Sequence, residues 1–128
     1  MVLLDTCTML WLTTDPDALG RRARDEIRAN ANELFISAIS CFEVGIKVRK
    51  GKLNLLLSVG QWYEQALQEH GLNELHIDGD ILLDAVGLPS IHEDPCDRII
   101  IATAARLRLP IITPDPLIAQ YPQARVIW

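Results

Sequence analysis

Apolar residues follow two rhythms along this chain. Short runs, Val2-Leu3-Leu4, Leu34-Phe35-Ile36 and Pro110-Ile111-Ile112-Thr113, are too brief for helices and read as buried strands. Between them apolar positions recur every three or four residues, the spacing of one helix face. The pattern predicts a first strand that stops at Asp5, a short helix from Thr6 to Thr13, and a turn over Thr14-Asp15-Pro16-Asp17. A helix follows from Ala18 to about Asn30, with Leu19, Ala23 and Ile27 on one face and the arginines mostly on the other. After the second strand, a helix from Ser37 to Arg49 carries Ile39, Phe42 and Ile46 as its apolar stripe and is stopped by Gly51. Ser58 to His70 reads as a helix with Gly71 in the C′ position, Leu75-His76-Ile77 as a third strand, and Asp80 to Val86 as a short helix. Asp94-Pro95 opens the strongest helix, with Asp as N-cap and Pro as first helical residue before the run from Ile99 to Leu107. Residues 110–113 form a fourth strand, and Val126-Ile127 a small fifth.

Strands alternating with helices imply right-handed crossovers and a mainly parallel sheet of four to five strands covered on both faces, a three-layer α/β/α sandwich. A length of 128 residues without repeat, linker or low-complexity tract makes residues 1–128 a single domain. In such a sheet the site lies outside the carboxyl ends of the strands. That rule draws attention to Asp5, to Ser37, and to Asp115 two residues past the fourth strand.

Composition adds a class. Hydrophobic residues at 49% and charged residues at 23% belong to a globular protein and exclude disorder. No apolar run approaches the ~20 residues of a membrane span, and the charge at Asp5 comes too early for a secretory leader. Three cysteines, Cys7, Cys41 and Cys96, without a C-x-x-C pair argue against a disulfide framework or a structural zinc site and for a reducing cytoplasm. The net charge of −5 hides an asymmetry: residues 21–52 carry eight basic groups against four acids, and the remainder is strongly acidic. Such a split suits a phosphate-facing rim beside an acidic centre, or simply solvated helix faces.

Four acids stand out by position. Asp5 and Asp115 lie just beyond strand ends, Glu43 on the second turn of the helix after strand two, and Asp97 in the first turn of the helix feeding strand four. In an α/β/α sandwich all four can converge at one end of the sheet. Carboxylates gathered in a partly desolvated site stay ionised only around a cation. Oxygen-only ligands suit Mg²⁺ or Mn²⁺, and an open coordination position leaves water free to attack a phosphodiester. Thr6 and Thr113 add hydroxyls beside the strand-end aspartates. Each acid also has an ordinary structural role open to it: Asp5 as an N-cap, Glu43 in a Ser40-x-x-Glu43 capping box, Asp97 at a helix N-terminus, Asp115 as a turn residue between two prolines.

Four segments together resemble, in order, the motifs of the PIN-domain nucleases: Val2-Leu-Leu-Asp5-Thr6-Cys-Thr8, Ile36-Ser37-Ala-Ile-Ser40-Cys-Phe-Glu43-Val-Gly-Ile46-Lys47, His92-Glu-Asp94-Pro95-Cys-Asp97-Arg98-Ile-Ile-Ile-Ala102 and Ile112-Thr113-Pro-Asp115. The resemblance runs almost end to end and is greatest to the VapC-type toxins of toxin–antitoxin modules. It implies a Mg²⁺- or Mn²⁺-dependent ribonuclease, usually a homodimer, held inactive by a small antitoxin. Asp5, Glu43, Asp97 and Asp115 match the family's acidic positions and Thr113 its hydroxyl position. Pro114 and Cys96 depart from it, standing where a small or polar residue and an aromatic are frequent. The mechanism so implied has Asp5 and Asp97 hold the main ion, with Glu43 and Asp115 binding through water or a second ion. His92 is the nearest candidate for a separate base, although a structural turn histidine is the plainer reading.

Lys47, one turn beyond Glu43, leads the RNA-binding candidates with Arg49 and Lys50; the arginines at 21, 22, 24 and 28 are expected to border the same cleft. The cysteines read as buried core thiols. Trp11, Trp62, Tyr63 and Leu53-Asn-Leu55-Leu56-Leu57 are apolar beyond what a small core needs, so a groove for an antitoxin helix stands beside plain core packing. The rival readings are a catalytically inactive PIN-like binding module, a phospho-receiver and an acid phosphatase-like hydrolase. A receiver needs a lysine late in the chain, and none follows Lys52. A phosphatase of that type needs a second acid two residues after Asp5, where Cys7 stands.

Overall fold

A computed structural model describes all residues, Met1–Trp128. Five strands form one sheet: β1 (Val2–Leu4), β2 (Leu34–Ser37), β3 (Leu72–Leu75), β4 (Ile111–Ile112) and β5 (Val126–Ile127). Every neighbouring pair is parallel and the spatial order is β3-β2-β1-β4-β5. Six helices connect them: α1 (Thr6–Thr14), α2 (Arg21–Ala29), α3 (Ile39–Arg49), α4 (Val59–His70), α5 (Gly79–Gly87) and α6 (Pro95–Leu107).

Alternation along each strand divides the core. Val2, Leu4, Leu34, Ile36 and Ile112 point to one face, where Met9 of α1, Ala23 of α2, Val44 of α3 and Trp62, Tyr63 and Ala66 of α4 cover them. Leu3 and Ile111 point to the other face, against Ile100, Ile101 and Ala104 of α6, with α5 packed on α6 through Ile81 and Ala85. Both faces are therefore buried, as the unbroken apolar runs predicted, and the sandwich has three layers. The chain winds outward from β1 to β3, then crosses to β4 on the far side of β1. The order reverses between β1 and β4, and their carboxyl ends leave a crevice there.

Several local readings change. The third strand is Leu72–Leu75, not 75–77, because Gly71 in the left-handed conformation (φ 61°) turns α4 directly into the sheet, where Leu72 pairs with Leu34. The helix expected from Ala18 starts at Arg21: Pro16–Ala18 form a 3₁₀ turn, and Gly20 lies so close to Trp128 that a Cβ would sit 2.9 Å from its indole nitrogen. Helix α3 begins at Ile39 rather than Ser37, and Ser37 Oγ instead accepts from the Ile39 N–H. Its stripe of Ile39, Phe42 and Ile46 does not face the main core; Phe42 is 60% exposed, while Ser40 and Val44 are buried and Cys41 and Val48 pack inward. The helix is rotated by its polar residues. The buried Thr6 hydroxyl needs partners, and Ser40 and Glu43 must turn inward to supply them.

Gly71→Ala places a Cβ in a left-handed backbone and should cost about 1 kcal/mol, a fall of roughly 3–4 °C in melting temperature. Gly71→Asn should cost less, since asparagine tolerates that region. Equal losses for both, followed by thermal melting, would mean the αL cap does not set this turn.

Candidate active site

The crevice between β1 and β4 is built from the bottom by Asp5. It is only 3% exposed, and both oxygens are engaged: Oδ1 accepts from the Thr8 N–H at 2.8 Å and Oδ2 from the Thr113 hydroxyl at 2.5 Å. Asp5 is thus the N-cap of α1, as its ordinary role foresaw, and also the link between β1 and the end of β4. Burial is the main cause raising its pKa above the usual carboxylate value, opposed by the Thr113 and Thr8 hydrogen bonds. Thr8 completes the seam by donating its hydroxyl to the Ile112 carbonyl.

One layer higher, Thr6 donates to Glu43 Oε1 at 2.7 Å and shares a 2.9 Å hydrogen bond with Ser40. Glu43 therefore forms no capping box with Ser40; its carboxylate is drawn over the crevice. Asp97 lies in the first turn of α6, whose N-cap is Asp94, bonded to the Cys96 N–H at 2.9 Å. One oxygen from each of Glu43, Asp94 and Asp97 lies within 4.8 Å of the others, and a second set joins Asp97 to His92 and Asp115. Asp97 is common to both sets, and Asp5 belongs to neither, lying beneath them. Burial, and then the charges of Glu43 and Asp94, push the Asp97 carboxyl up to about 7. Asp115 accepts from the Leu117 N–H, and its own N–H reaches Thr113 Oγ1, so it is a turn residue and a cluster member at once.

Sequence reasoning misses Asp94 and ranks His92 as a possible base behind a plain turn role. Asp94 reads as a cap and nothing more, yet its carboxylate borders Glu43 and Asp97. His92 is no plain turn histidine: Nε2 lies 2.9 Å from Asp115 Oδ2 and 3.0 Å from Asp97 Oδ2. Its place depends on Arg98 and Tyr121, which no spacing rule connects to it. The only signal available was its position at the head of the His92-x-Asp94-Pro95-x-Asp97 segment.

All three cysteines are half-buried: Cys41 packs against the core as expected, whereas Cys7 and Cys96 are not part of it. Cys7 and Cys96 flank the acidic cluster, and burial pushes their thiols up to about 11 and about 12, so they are uncharged at neutral pH. The basic rim is also less uniform than expected. Lys47 Nζ lies 3.8 Å from Glu43 Oε2, at the cleft. Arg49 and Lys50 are exposed at the far end of α3, roughly 9–10 Å beyond Glu43 along its axis. Helix α2 starts against Trp128, beyond the carboxyl end of β5, and ends where Asn30 receives the Met1 ammonium at the amino end of β1. Arg21 and Arg22 are therefore at the catalytic end, but Arg28 is at the opposite one.

Comparison with known proteins agrees with this geometry. The model of the PIN domain family matches residues 2–123. The chain is 32% identical to Ribonuclease VapC22 of Mycobacterium tuberculosis, covering 99% of this chain and 98% of that protein. Among solved structures it resembles a toxin–antitoxin complex from Klebsiella pneumoniae, at 26% identity and a TM-score of 0.68 over 100% of this chain and 97% of that one. It also shares the fold of VapBC2 from Rickettsia felis, bound to a DNA fragment from their promoter, at 12% identity and a TM-score of 0.73 over 98% and 97% of the two chains.

The raised Asp97 carboxyl fixes a pH dependence for the metal-free protein. The folded state holds this proton more tightly than the unfolded chain, so the associated stability is fully present below the ordinary carboxylate range and is lost as pH rises to about 7. Melting temperature should therefore fall between about pH 4 and pH 7, and Asp97→Asn should flatten the fall. The same slope in both proteins would remove Asp97 as its origin.

Proposed function

This chain belongs to the PIN-domain family, and from that premise we propose that it is a VapC-type ribonuclease toxin that hydrolyses RNA internally with Mg²⁺ or Mn²⁺ and is neutralised by a small antitoxin. The observation that carries the reading is the carboxylate cluster centred on Asp97, above the buried Asp5, at the point where the sheet order reverses. The donor set fits the ion. It is dominated by carboxylate oxygens, which suit a hard divalent cation, and burial with the charges of Glu43 and Asp94 raises the Asp97 carboxyl among them. Asp5 and Asp97 would hold the ion, with Glu43 and Asp115 binding through water or a second ion and Asp94 beside them.

When bound, the cation supplies charge that neutralises the phosphodiester and makes water a stronger nucleophile. The chain's own groups do the positioning. Thr6 aims Glu43 through its 2.7 Å hydrogen bond, and Thr113 locks Asp5 in one rotamer. Lys47 stands at the lip of the cleft, where its ammonium can meet a backbone phosphate as readily as Glu43.

The relatives with solved structures include toxin–antitoxin complexes. A groove of about 610 Å³ between the end of α1, the 54–57 loop and α4, lined by Leu55, Leu56, Leu57 and Trp62, supports an apolar helix of the antitoxin as its occupant. Trp62 and Tyr63 also belong to the core, so both expected roles of this segment coexist. An exposed apolar face on α5, with Leu82, Leu83 and Val86, supports a homodimer. No helix is long and apolar enough to cross a membrane, and the proposed place of action is the cytoplasm.

Asp5→Asn should abolish RNA cleavage and leave the fold intact. The amide can still accept from the Thr8 N–H and can donate to Thr113 Oγ1, while a buried like charge is removed, so metal-free stability should hold or rise. Cleavage retained alongside a melting temperature lowered as in a core mutant would sink the assignment.

RNA contact by the basic rim can be separated from a helix salt bridge by its salt dependence. The Lys47–Glu43 pair is worth only ~0.3–0.5 kcal/mol as an i,i+4 bridge. Each phosphate contact on a single strand adds roughly −0.7 to the slope of log affinity against log salt. Removing Lys47, Arg49 and Lys50 together in the Asp5→Asn background should flatten that slope by about two units if all three meet phosphate, and by about 0.7 if Lys47 alone does. A slope that does not change would place the RNA path elsewhere, with Arg21 and Arg22 the next residues to remove.

A further inference from the structure

We propose that His92 is a positioning residue for the cluster, orienting the Asp115 carboxylate through its Nε2 hydrogen and seating its ring against Asp97 rather than ligating the cation itself; the inference rests on the metal-dependent reading above. The ring's state follows from its neighbours. The Asp94 backbone N–H donates to His92 Nδ1 at 3.2 Å, so Nδ1 carries a lone pair. In the neutral ring the hydrogen is then on Nε2, the atom 2.9 Å from Asp115 Oδ2 and 3.0 Å from Asp97 Oδ2. An Nε2 that bears hydrogen offers no lone pair to a cation, and the lone pair of Nδ1 is already engaged. Both nitrogens are committed.

Few side chains in this molecule are held as tightly. The His92 ring is 12% exposed. Its backbone N–H donates to the Tyr121 hydroxyl at 2.7 Å, and its carbonyl accepts from Arg98 Nη1 at 3.3 Å. Arg98 also donates to Tyr121 at 3.2 Å and to the carbonyls of Ala85, Leu88 and Pro89 at 2.7–2.9 Å. One guanidinium thus fixes the whole segment between α5 and α6, and the imidazole is its working end.

What the imidazole does is visible in the atoms it touches. Asp97 comes from the first turn of α6 and Asp115 from the turn after β4. The Nε2 hydrogen bond to Asp115 Oδ2 selects the rotamer of that carboxylate, and the same nitrogen stands 3.0 Å from Asp97 Oδ2, which seats the ring between the two acids. Asp97 also has a carboxylate oxygen within 4.8 Å of Glu43 and Asp94, so the ring borders one side of the acid that both groups of acids share. Outer hydrogen-bond partners of metal-binding carboxylates typically change affinity by ~10–100-fold when lost.

The test is Mn²⁺ binding to the full chain, followed by electron paramagnetic resonance, for wild type, His92→Ala, His92→Gln and Tyr121→Phe. Glutamine places an amide N–H near Nε2. His92→Ala should weaken Mn²⁺ binding by ~10–100-fold, His92→Gln should recover it to within a few-fold, and Tyr121→Phe should weaken it modestly through the loosened segment. The spin echo of wild-type Mn²⁺ should show no coupling to a ring nitrogen. If His92→Ala does not fold, recovery in His92→Gln together with the missing nitrogen coupling supports the role by itself. Wild-type affinity in His92→Ala overturns it, as does a ring-nitrogen coupling lost in a weak-binding His92→Gln, which would make His92 a ligand. A wild-type chain that binds no Mn²⁺ overturns the metal reading and this inference together; the other failures leave the metal reading standing.

Discussion

The hydrogen bond from Thr113 to Asp5 joins the two strands between which the sheet reverses its order, and it does so with a buried charge. A carboxylate at that depth is tolerable only because every nearby donor is aimed at it: the Thr8 N–H at the head of α1 and the Thr113 hydroxyl at the end of β4. The same three groups therefore cap a helix, close a sheet seam and form the floor of the site. The upper layer inherits its geometry from this floor. Thr6 is the first residue of α1, so its hydroxyl height is set by the Asp5 cap, and Glu43 is reached through Thr6.

That arrangement explains why α3 presents phenylalanine to solvent. Area arguments alone would bury Phe42 and expose Ser40. The rotation is decided by polar satisfaction, since an unpartnered buried hydroxyl or carboxylate costs about as much as an aromatic ring gains by burial. The helix cannot satisfy both demands, because Ser40 and Phe42 are about 200° apart around its axis. Function and packing compete here, and packing yields at one exposed ring.

The frame of the molecule was readable from the chain because it rests on local rules. Asp94-Pro95, Ser58 and Gly71 mark helix ends by chemistry that acts over four residues, and each is where that chemistry predicts. The four acids were readable because strand ends and helix starts place them without knowledge of packing. What was not readable depends on contacts between distant elements. The rotation of α3 follows from Thr6, 34 residues from Ser40. The delayed start of α2 follows from Trp128 at the other end of the chain. His92 reads as an ordinary turn residue until Tyr121 and Asp115, 29 and 23 residues away, are beside it. Period and propensity carry no information about such pairs.

The charge distribution takes its meaning from the same topology. Strands that all run one way bring loops following their carboxyl ends to one edge, so acids late in each βα connection accumulate there. A cluster of that kind repels RNA as well as attracting a cation. The asymmetry between residues 21–52 and the rest of the chain answers this, because α2 and α3 both flank the catalytic edge at their starts. Only part of each helix can help, however. Lys47 stands beside Glu43 at the cleft, whereas Arg28 lies at the opposite end of α2, more than a screening length of about 8–10 Å from the residues at its start. The basic segment is therefore not one surface: its near end can counter the repulsion of the cluster, and its far end can only offset net charge.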